Sequence, residues 1–297
     1  GDNKAADSGP RFSPDGKKLA WRSQKRPGYE ADKWDIVVAD AKPDGSIVGK
    51  PTALYPTHDL SCGEFCWLGD AIAFTVEANG ASAIYRIASG GEPQQLQAGG
   101  QIGGLTAVGA KPSVFVYTQA LMSRPNEVFA TGLPVNAAGS ATVNLSHAND
   151  ALLAQLDLGR PESVEVAVEG GKMQMWILKP PGFDDKKKWP VVYLIHGGPQ
   201  GAWEDGWSYR WNPQAWAAQG YVIVMPNPRG STGFGQKFVD EISGDWGGKC
   251  YRDLVAGLDF VEKLPYVDKD RIASAGASFG GYMQNWFAVN DIAKRLK

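Results

Sequence analysis

Gly276-Ala277-Ser278-Phe279-Gly280-Gly281-Tyr282 follows the apolar run Ile272 to Ala275 and precedes a stretch of helical character, Met283 to Val289. A strand, a G-x-S-x-G turn and a helix in that order describe a nucleophile elbow. The serine at its tip is held in a strained backbone conformation, so that its hydroxyl projects from the carboxyl edge of a sheet. Small flanking residues are a steric requirement of the turn. Gly276 and Gly280 let the backbone pass close to the serine and the following helix, and the Phe279 amide at the helix start can face a developing oxyanion. In a chain with 37 glycines the pentapeptide also arises by chance, and a Gly-rich turn is the competing reading. The residues upstream decide between the two.

Val191 to Ile195 and Tyr221 to Met225 are continuous apolar runs of the kind buried on both faces of a parallel sheet. Val164 to Val168 and Met173 to Leu178 alternate as a hairpin around Gly170-Gly171. Between the runs, Trp211 to Gln219 reads as a short helix closed by Gly220. Tyr251 to Leu264 reads as a longer one, with Leu254, Leu258 and Val261 on one face and Pro265 as its stop. Strand and helix alternate up to the elbow, which is the order of a doubly wound, mostly parallel sheet. From about residue 151 to 297, this half therefore reads as part of an α/β-hydrolase domain.

Directly after the first apolar run comes His196-Gly197-Gly198-Pro199-Gln200. The loop after that strand supplies an oxyanion-hole amide in this architecture, and consecutive glycines let a backbone N–H approach a carbonyl unobstructed. Two independent signals now agree in order, so Ser278 is read as a nucleophile, with the Gly198 and Phe279 amides as oxyanion donors. The base of such a triad lies after the serine in the chain, which excludes His196. No histidine follows Ser278, His58 and His147 fall in the first half as structural or surface residues, and Asp291 follows too closely on the elbow helix to be the acid. The acid and base are expected beyond Lys297, the other reading being an inactive relic. Arg229 is expected to be a buried guanidinium supporting the site loop, direct substrate contact being the other reading.

Residues 1 to 150 show short strand runs with almost no helical period. Arg11-Phe12-Ser13-Pro14-Asp15-Gly16 leads into Lys18 to Arg22, and Asp35 to Ala39 follows. Phe65-Cys66-Trp67-Leu68-Gly69-Asp70 leads into Ala71 to Val76, and after Asn79-Gly80 comes Ser82 to Ile87. A fainter copy runs through Val114 to Tyr117 and Glu127 to Ala130. A recurrence of about 40 to 55 residues fits β-propeller blades, here a partial propeller of about three, with a β-sandwich as the alternative. The charged segment Gln24 to Lys33 exceeds what a hairpin needs; it is either a solvated excursion or a binding element.

With 43% apolar and 21% charged residues, the chain can bury a sizeable core, and a net charge of -2 gives no basic field for nucleic acid or anionic membrane. Lys186-Lys187-Lys188 reads as a solvated loop, and no apolar run approaches the roughly 20 residues that span a bilayer. Cys62, Cys66 and Cys250 lack the spacing of a zinc site; buried thiols and a local Cys62–Cys66 disulfide remain the two readings.

In chain order, His196-Gly197-Gly198-Pro199, Asn227-Pro228-Arg229-Gly230-Ser231-Thr232-Gly233-Phe234-Gly235, Asp245-Trp246-Gly247-Gly248 and Gly276-Ala277-Ser278-Phe279-Gly280-Gly281-Tyr282-Met283 resemble the prolyl oligopeptidase family of serine peptidases. Within it the chain is similar to the branch of dipeptidyl peptidase V and acylaminoacyl peptidases. Phe12 to Gly16, Lys25 to Asp32 and Arg124-Pro125-Asn126-Glu127 point to the dipeptidyl peptidase V side. The resemblance covers nearly the whole chain. It implies a propeller capping an α/β-hydrolase domain and a Ser-Asp-His triad completed downstream, so the chain is expected to be an internal portion of a longer polypeptide. It also implies exopeptidase action on short peptides, without metal or organic cofactor. Where some relatives place a tyrosine that helps bind the oxyanion, this sequence has His196, which shifts donation to Gly198. Propeller carboxylates bind the substrate's free amino terminus in dipeptide-releasing relatives; Glu30 is proposed here in that role, with Asp32 second. The implied partner is a short peptide, with a homodimer left open, in a periplasmic or secreted setting or else the cytoplasm. Acylaminoacyl peptidase or oligopeptidase activity, and a propeller binding module with an inactive hydrolase domain, are the alternative functions.

Overall fold

The computed structural model describes residues 3–109, 114–132 and 142–297. The chain divides into two compact units, residues 1–120 with 126–150, and residues 121–125 with 151–297.

The first unit is built on four-stranded sheets in which neighbours in sequence are neighbours in space. β1 (Asp7–Phe12), β2 (Lys18–Ser23), β3 (Asp35–Ala41) and β4 (Ile47–Ala53) form one. β5 (Cys62–Leu68), β6 (Ala71–Ala78), β7 (Ala81–Ile87) and β8 (Gln94–Ala98) form the next. β9 (Gln101–Val108), β10 (Val114–Leu121), β11 (Arg124–Gly132) and β12 (Val143–Asn144) form another. The β6–β7 hairpin closes on Asn79-Gly80, both at positive φ (53° and 74°), the two-residue turn whose twist matches the flanking strands. Ala20, Ile36, Phe65, Ile72 and Phe74 pack between the first two sheets, and Cys66, Ile84, Phe115 and Tyr117 between the second and third.

The first strand of each sheet carries a register shift: between Ser8 and Arg11, between Cys62 and Phe65, and where Val116 and Thr118 face β9. A bulge leaves backbone groups outside the ladder. In two cases a charged side chain of the preceding sheet satisfies them: Arg22 donates to Gly63 O, and Glu64 Oε2 accepts from Leu105 N at 3.1 Å. Sheet-to-sheet contact is thus fixed by polar bonds as well as apolar packing.

The middle strands of these sheets are legible in sequence and the outer ones are not. β4 exposes all but its last residue and contains Gly49-Lys50-Pro51, β8 reads Gln-Gln-Leu-Gln-Ala, and β1 is interrupted by Gly9-Pro10. Edge strands that bury little leave no apolar alternation to find. The three thiols are free and buried, so the Cys62–Cys66 disulfide does not form; burial pushes the Cys62 thiol up to about 12 and that of Cys66 up to about 11.

Glu127 in β11 is buried, and it organises residues 144–149. Its carboxylate accepts from Ser146 Oγ, Ala148 N (3.0 Å), Asn149 N (2.9 Å) and Asn149 Nδ2 (2.7 Å). Burial alone would raise its pKa, but these four donors outweigh that and bring it down to about 2. A depressed carboxylate stabilises the fold above its unfolded pKa and ceases to do so as pH falls through the folded one. Wild type is therefore expected to melt above Glu127→Gln at pH 6, with the gap closing as pH falls from about 4.5 to about 2; a gap independent of pH in thermal melts would refute this.

In the second unit β13 (Pro161–Val168), β14 (Gly171–Leu178), β15 (Trp189–Ile195), β16 (Val222–Asn227) and β17 (Val267–Gly276) form one sheet in the order β13-β14-β16-β15-β17. β13, β14 and β16 pair antiparallel in turn, and β15 pairs parallel with both β16 and β17. A short α1 (Asp150–Leu153) lies at the junction, followed in this unit by α2 (Pro213–Ala217), α3 (Gln236–Asp240), α4 (Lys249–Val261) and α5 (Phe279–Ala288), then a 3-10 turn over Asp291–Arg295.

The apolar runs are continuous because both faces of the sheet are covered. Val191, Tyr193, Ile195, Val222 and Val224 pack with Leu254, Leu258 and Val261 of α4 and with Phe279, Met283 and Phe287 of α5. Val192, Leu194, Ile223 and Met225 pack on the opposite face with Ala217 and Met122. Each such buried side chain contributes about 1.5 to 3 kcal/mol. α2 starts behind Asn212, whose side chain accepts from Gln214 N at 2.9 Å. α4 begins two residues earlier than its apolar spacing implies, at Lys249, and stops at Val261 ahead of Pro265. α5 begins at Phe279, not Met283, so the helix starts directly after the serine. Among the described residues no helix is long and apolar enough to cross a membrane.

Candidate active site

The site is set by strand register. β15 and β17 run parallel with Ile195 opposite Gly276, so both strands end together and the segments His196-Gly197-Gly198 and Ala277-Ser278 emerge side by side. Their separation is small: a Cβ built on Gly197 would lie 3.4 Å from Ser278 Cβ and 3.3 Å from Ala277 O.

Ser278 is exposed at φ 56° and ψ -121°, between β17 and α5. A non-glycine residue at positive φ outside the small left-handed basin costs about 1 to 3 kcal/mol, and persists where its surroundings over-determine it. They do so here. A Cβ on Gly276 would come within 2.7 Å of both Ile195 O and Gly280 C, and one on Gly280 would collide with Ile195 O. Neither glycine can carry a side chain without displacing the elbow from β15. Phe279 is buried behind the serine, edge-on to Trp246 at 5.3 Å and stacked on Tyr282 at 5.8 Å. Its amide precedes the first intrahelical bond, Tyr282 N to Ser278 O at 2.9 Å, and is free to donate.

Across from the serine, Gly198 has φ 126°, a conformation that glycine adopts without strain. The loop it belongs to is pinned at its far end. Trp203 Nε1 donates to Leu194 O (2.9 Å), Trp203 N donates to Asn227 Oδ1 (2.7 Å), Asn227 Nδ2 donates to Trp203 O (2.9 Å), and Thr232 N donates to Gly201 O (3.1 Å).

His196 is buried, with Nδ1 2.7 Å from Gly197 O and Nε2 2.9 Å from Ser231 Oγ. Both ring nitrogens are engaged within the loops, and burial lowers the imidazole pKa from its usual value. Ser231, the partner of His196, is a residue that motif reading alone does not single out; its signal is the hydroxyl in Asn227-Pro228-Arg229-Gly230-Ser231. The same segment is anchored by Arg229, whose Nε and Nη2 bind Asp253 Oδ2 (2.9 Å) and Oδ1 (2.7 Å). Its Nη1 also reaches Glu241 Oε2 (3.2 Å), its Nη2 reaches Glu169 O (2.7 Å), and its backbone N–H donates to Asp253 Oδ2 (2.9 Å). Hydrogen bonding to Asp253 raises the guanidinium pKa further. Arg229 is the buried support that its sequence context predicts.

The Asp245-Trp246-Gly247-Gly248 motif is structural. Asp245 accepts from Lys249 N (3.0 Å) at the start of α4, Trp246 covers Phe279, and Gly247 leaves room for Trp286, which a Cβ would approach to 2.8 Å.

The other predicted residues lie in the first unit. His58 faces Glu92 (3.0 Å) and His147 faces Asp150 (2.7 Å), both at the surface. Residues 24–33 form an ordered loop. Tyr29 N donates to Arg26 O (3.3 Å) across Pro27-Gly28, with Gly28 at φ 73°, and the Arg26 guanidinium sits 4.0 Å from the Tyr29 ring centroid. Gln24 Nε2 donates to Glu30 O (3.0 Å) and Asp32 O (2.8 Å). Asp32 is buried, and its Oδ2 accepts from Lys25 N (2.7 Å) and Arg26 N (2.8 Å), so its carboxylate braces the loop itself; Glu30 stands exposed upon it. Among the described residues no group of three or more His, Cys, Asp or Glu is placed to hold a metal ion.

Residues 207–293 match the model of the Prolyl oligopeptidase family. Dipeptidyl-peptidase 5 of Trichophyton equinum is 38% identical to this chain over 304 aligned residues, and that of Arthroderma otae 37%; each alignment takes in 99% of this chain and 40% of the relative. The chain thus spans about two fifths of the length of these relatives. Among solved structures, an acylaminoacyl peptidase in complex with Z-Gly-Gly-Phe-chloromethyl ketone superposes with a TM-score of 0.78 at 24% identity, covering 93% of this chain and 42% of that one. Pyrococcus horikoshii acylaminoacyl peptidase superposes with 0.78 at 23%, covering 94% and 42%. These neighbours join a propeller to an α/β-hydrolase domain, which agrees with the antiparallel sheets and the α/β sheet of the two units. With its motifs in order on these elements, and with these relatives, the chain is similar along nearly its whole length to members of the prolyl oligopeptidase family.

Proposed function

We propose that the polypeptide to which this chain belongs is a serine exopeptidase that removes dipeptides from the free amino terminus of short peptides. The observation that supports this most directly is the shared end of β15 and β17, which sets a strained, exposed Ser278 against the Gly197-Gly198 loop. Ser278 Oγ attacks the peptide carbonyl, the Gly198 and Phe279 amides receive the oxyanion, the amine leaves, and water releases the acyl group. The Asp and His of the triad are contributed by sequence outside this chain, in line with relatives more than twice its length. The antiparallel sheets of the first unit are about three blades of a larger propeller. No step requires a metal or organic cofactor.

Glu30 is assigned to the substrate's ammonium group, because an ammonium leaving water needs an anionic partner, and a hydrogen bond between charged groups contributes about 1.5 to 3 kcal/mol. With the full-length polypeptide, Glu30→Gln is expected to raise KM about 10- to 100-fold for a free Xaa-Ala chromogenic substrate while leaving an N-acetylated ester unchanged. Equal effects on both substrates would remove Glu30 from that role. Preference of the wild type for the acetylated substrate would replace the dipeptidyl reading with an acylaminoacyl one.

A further inference from the structure

We propose that Asp35 is a positioning residue for the substrate's amino terminus: its buried carboxylate draws in Lys25 and Lys33 from the two ends of the loop 24–33 and so fixes the backbone on which Glu30 stands. The role rests on the reading of Glu30 as the partner of the substrate's ammonium group.

Asp35 opens β3 and lies opposite Ser23, the last residue of β2, so the loop leaves and rejoins the sheet beside it. Its side chain is 2% exposed, with Lys25 Nζ 2.6 Å from Oδ2 and Lys33 Nζ 2.8 Å from Oδ1. Among the described residues no other donor serves either oxygen. A charge this far from water is tolerated only where opposite charge meets it, so the carboxylate holds both ammonium groups to the base of the loop. The two lysines differ in what else secures them. Lys33 is 14% exposed and also donates to His58 O at 2.6 Å, which ties the returning end of the loop to the segment after β4. Lys25 is 62% exposed, and Asp35 is what its ammonium group is bound to.

Gln24 carries the restraint to Glu30. It lies between Ser23, which faces Asp35 across the ladder, and Lys25, which binds the Asp35 carboxylate, so one residue fixes both of its neighbours. The Gln24 side chain is buried, and its Nε2 donates to Glu30 O (3.0 Å) and Asp32 O (2.8 Å). Asp32 in turn accepts from the backbone of Lys25 and Arg26, which closes the ring of contacts. Both of these aspartates are engaged within the loop. The Glu30 carboxylate is exposed and carries no ion pair among the described residues, so it is left as the loop's open anion. Asp35 therefore acts on an incoming ammonium group through the place it gives Glu30.

The test uses the full-length polypeptide with a free Xaa-Ala chromogenic substrate and an N-acetylated ester. Lys25→Gln alters a mostly exposed side chain, so the fold is kept while one side of the clamp is removed. It is expected to raise KM for the free substrate about three- to tenfold, with kcat and the acetylated ester unchanged, and to speed amide hydrogen exchange across residues 28–32 by at least about threefold. Lys25→Arg keeps the charge and is expected to restore both readouts. Asp35→Asn should act in the same direction and more strongly, and Lys25→Gln added to it should change nothing further, because the two substitutions remove one shared interaction. Equal effects on the two substrates, unchanged exchange, or additive losses would each overturn the proposal. Where Asp35→Asn does not fold, the two Lys25 variants decide alone. If Glu30→Gln affects both substrates alike, the ammonium reading fails on its own, and the exchange measurement still decides whether Asp35 holds the loop.

Discussion

Ser278→Ala in the full-length polypeptide is expected to lower kcat for a dipeptidyl substrate by about 10⁶-fold, the scale on which removal of a triad nucleophile acts in serine peptidases. Removing Oγ removes the acyl acceptor, and neither oxyanion amide can substitute for it. The small residue left should come from the Gly198 and Phe279 amides and from binding, which alone give about 10³- to 10⁴-fold over water. Alanine has no more latitude than serine at φ 56°, so the variant should retain the wild-type fold. Initial rates and fluorophosphonate labelling check the expectation together. Unimpaired hydrolysis, or labelling that survives the substitution, would place the nucleophile elsewhere.

Asp253→Ala should produce the largest loss of stability, about 3 to 5 kcal/mol in denaturant unfolding. Asp253 is fully buried and takes three donors from Arg229, two from the guanidinium and one from the backbone. Its removal strands a cation that is itself buried, with the partly exposed Glu241 at 3.2 Å as the remaining counter-charge. The cost is that of the orphaned charge more than of the bond, so Arg229→Met combined with Asp253→Leu is expected to recover much of what the single change loses. A single substitution within about 1 kcal/mol of wild type would show that the network contributes little.

The parts of the fold that could be read from sequence are those where one physical effect dominates. Val191 to Ile195 and Tyr221 to Met225 stand out because both faces of the sheet are buried, and the elbow stands out because steric crowding against Ile195 O demands Gly276 and Gly280. β4 and β8 escape notice because a strand exposed along most of its length has no period-two signal to give. α5 begins at Phe279, ahead of the helical run that starts at Met283, because the elbow geometry overrides the poor helix propensity of Gly280 and Gly281.

Within the site, the placement of Ser278 and of the Gly197-Gly198 loop at neighbouring strand ends is legible from motif and order, whereas the partners of His196 are not. Ser231 lies far along the chain from His196, and the bond between them exists only because β15 and β16 end next to each other. Asp32 shows the opposite limit. Its charge and its place beside Glu30 make it a natural ligand candidate on paper, yet two backbone amides 2.7 and 2.8 Å away already engage one of its oxygens.

The matched ends of β15 and β17 also bear on which changes in length the protein can tolerate over evolutionary time. One residue of strand advances the chain by about 3.3 Å and turns every later side chain to the opposite face. A single deletion within Val191–Ile195 or Ile272–Gly276 would thus both separate Gly197 from Ser278 and invert a buried strand. The turn at Asp184–Lys188 and the surface around Arg210 carry no such register, and insertions there leave the spacing of Ile195 against Gly276 intact. Length variation in this half of the chain should therefore accumulate between the strands and stop at their ends.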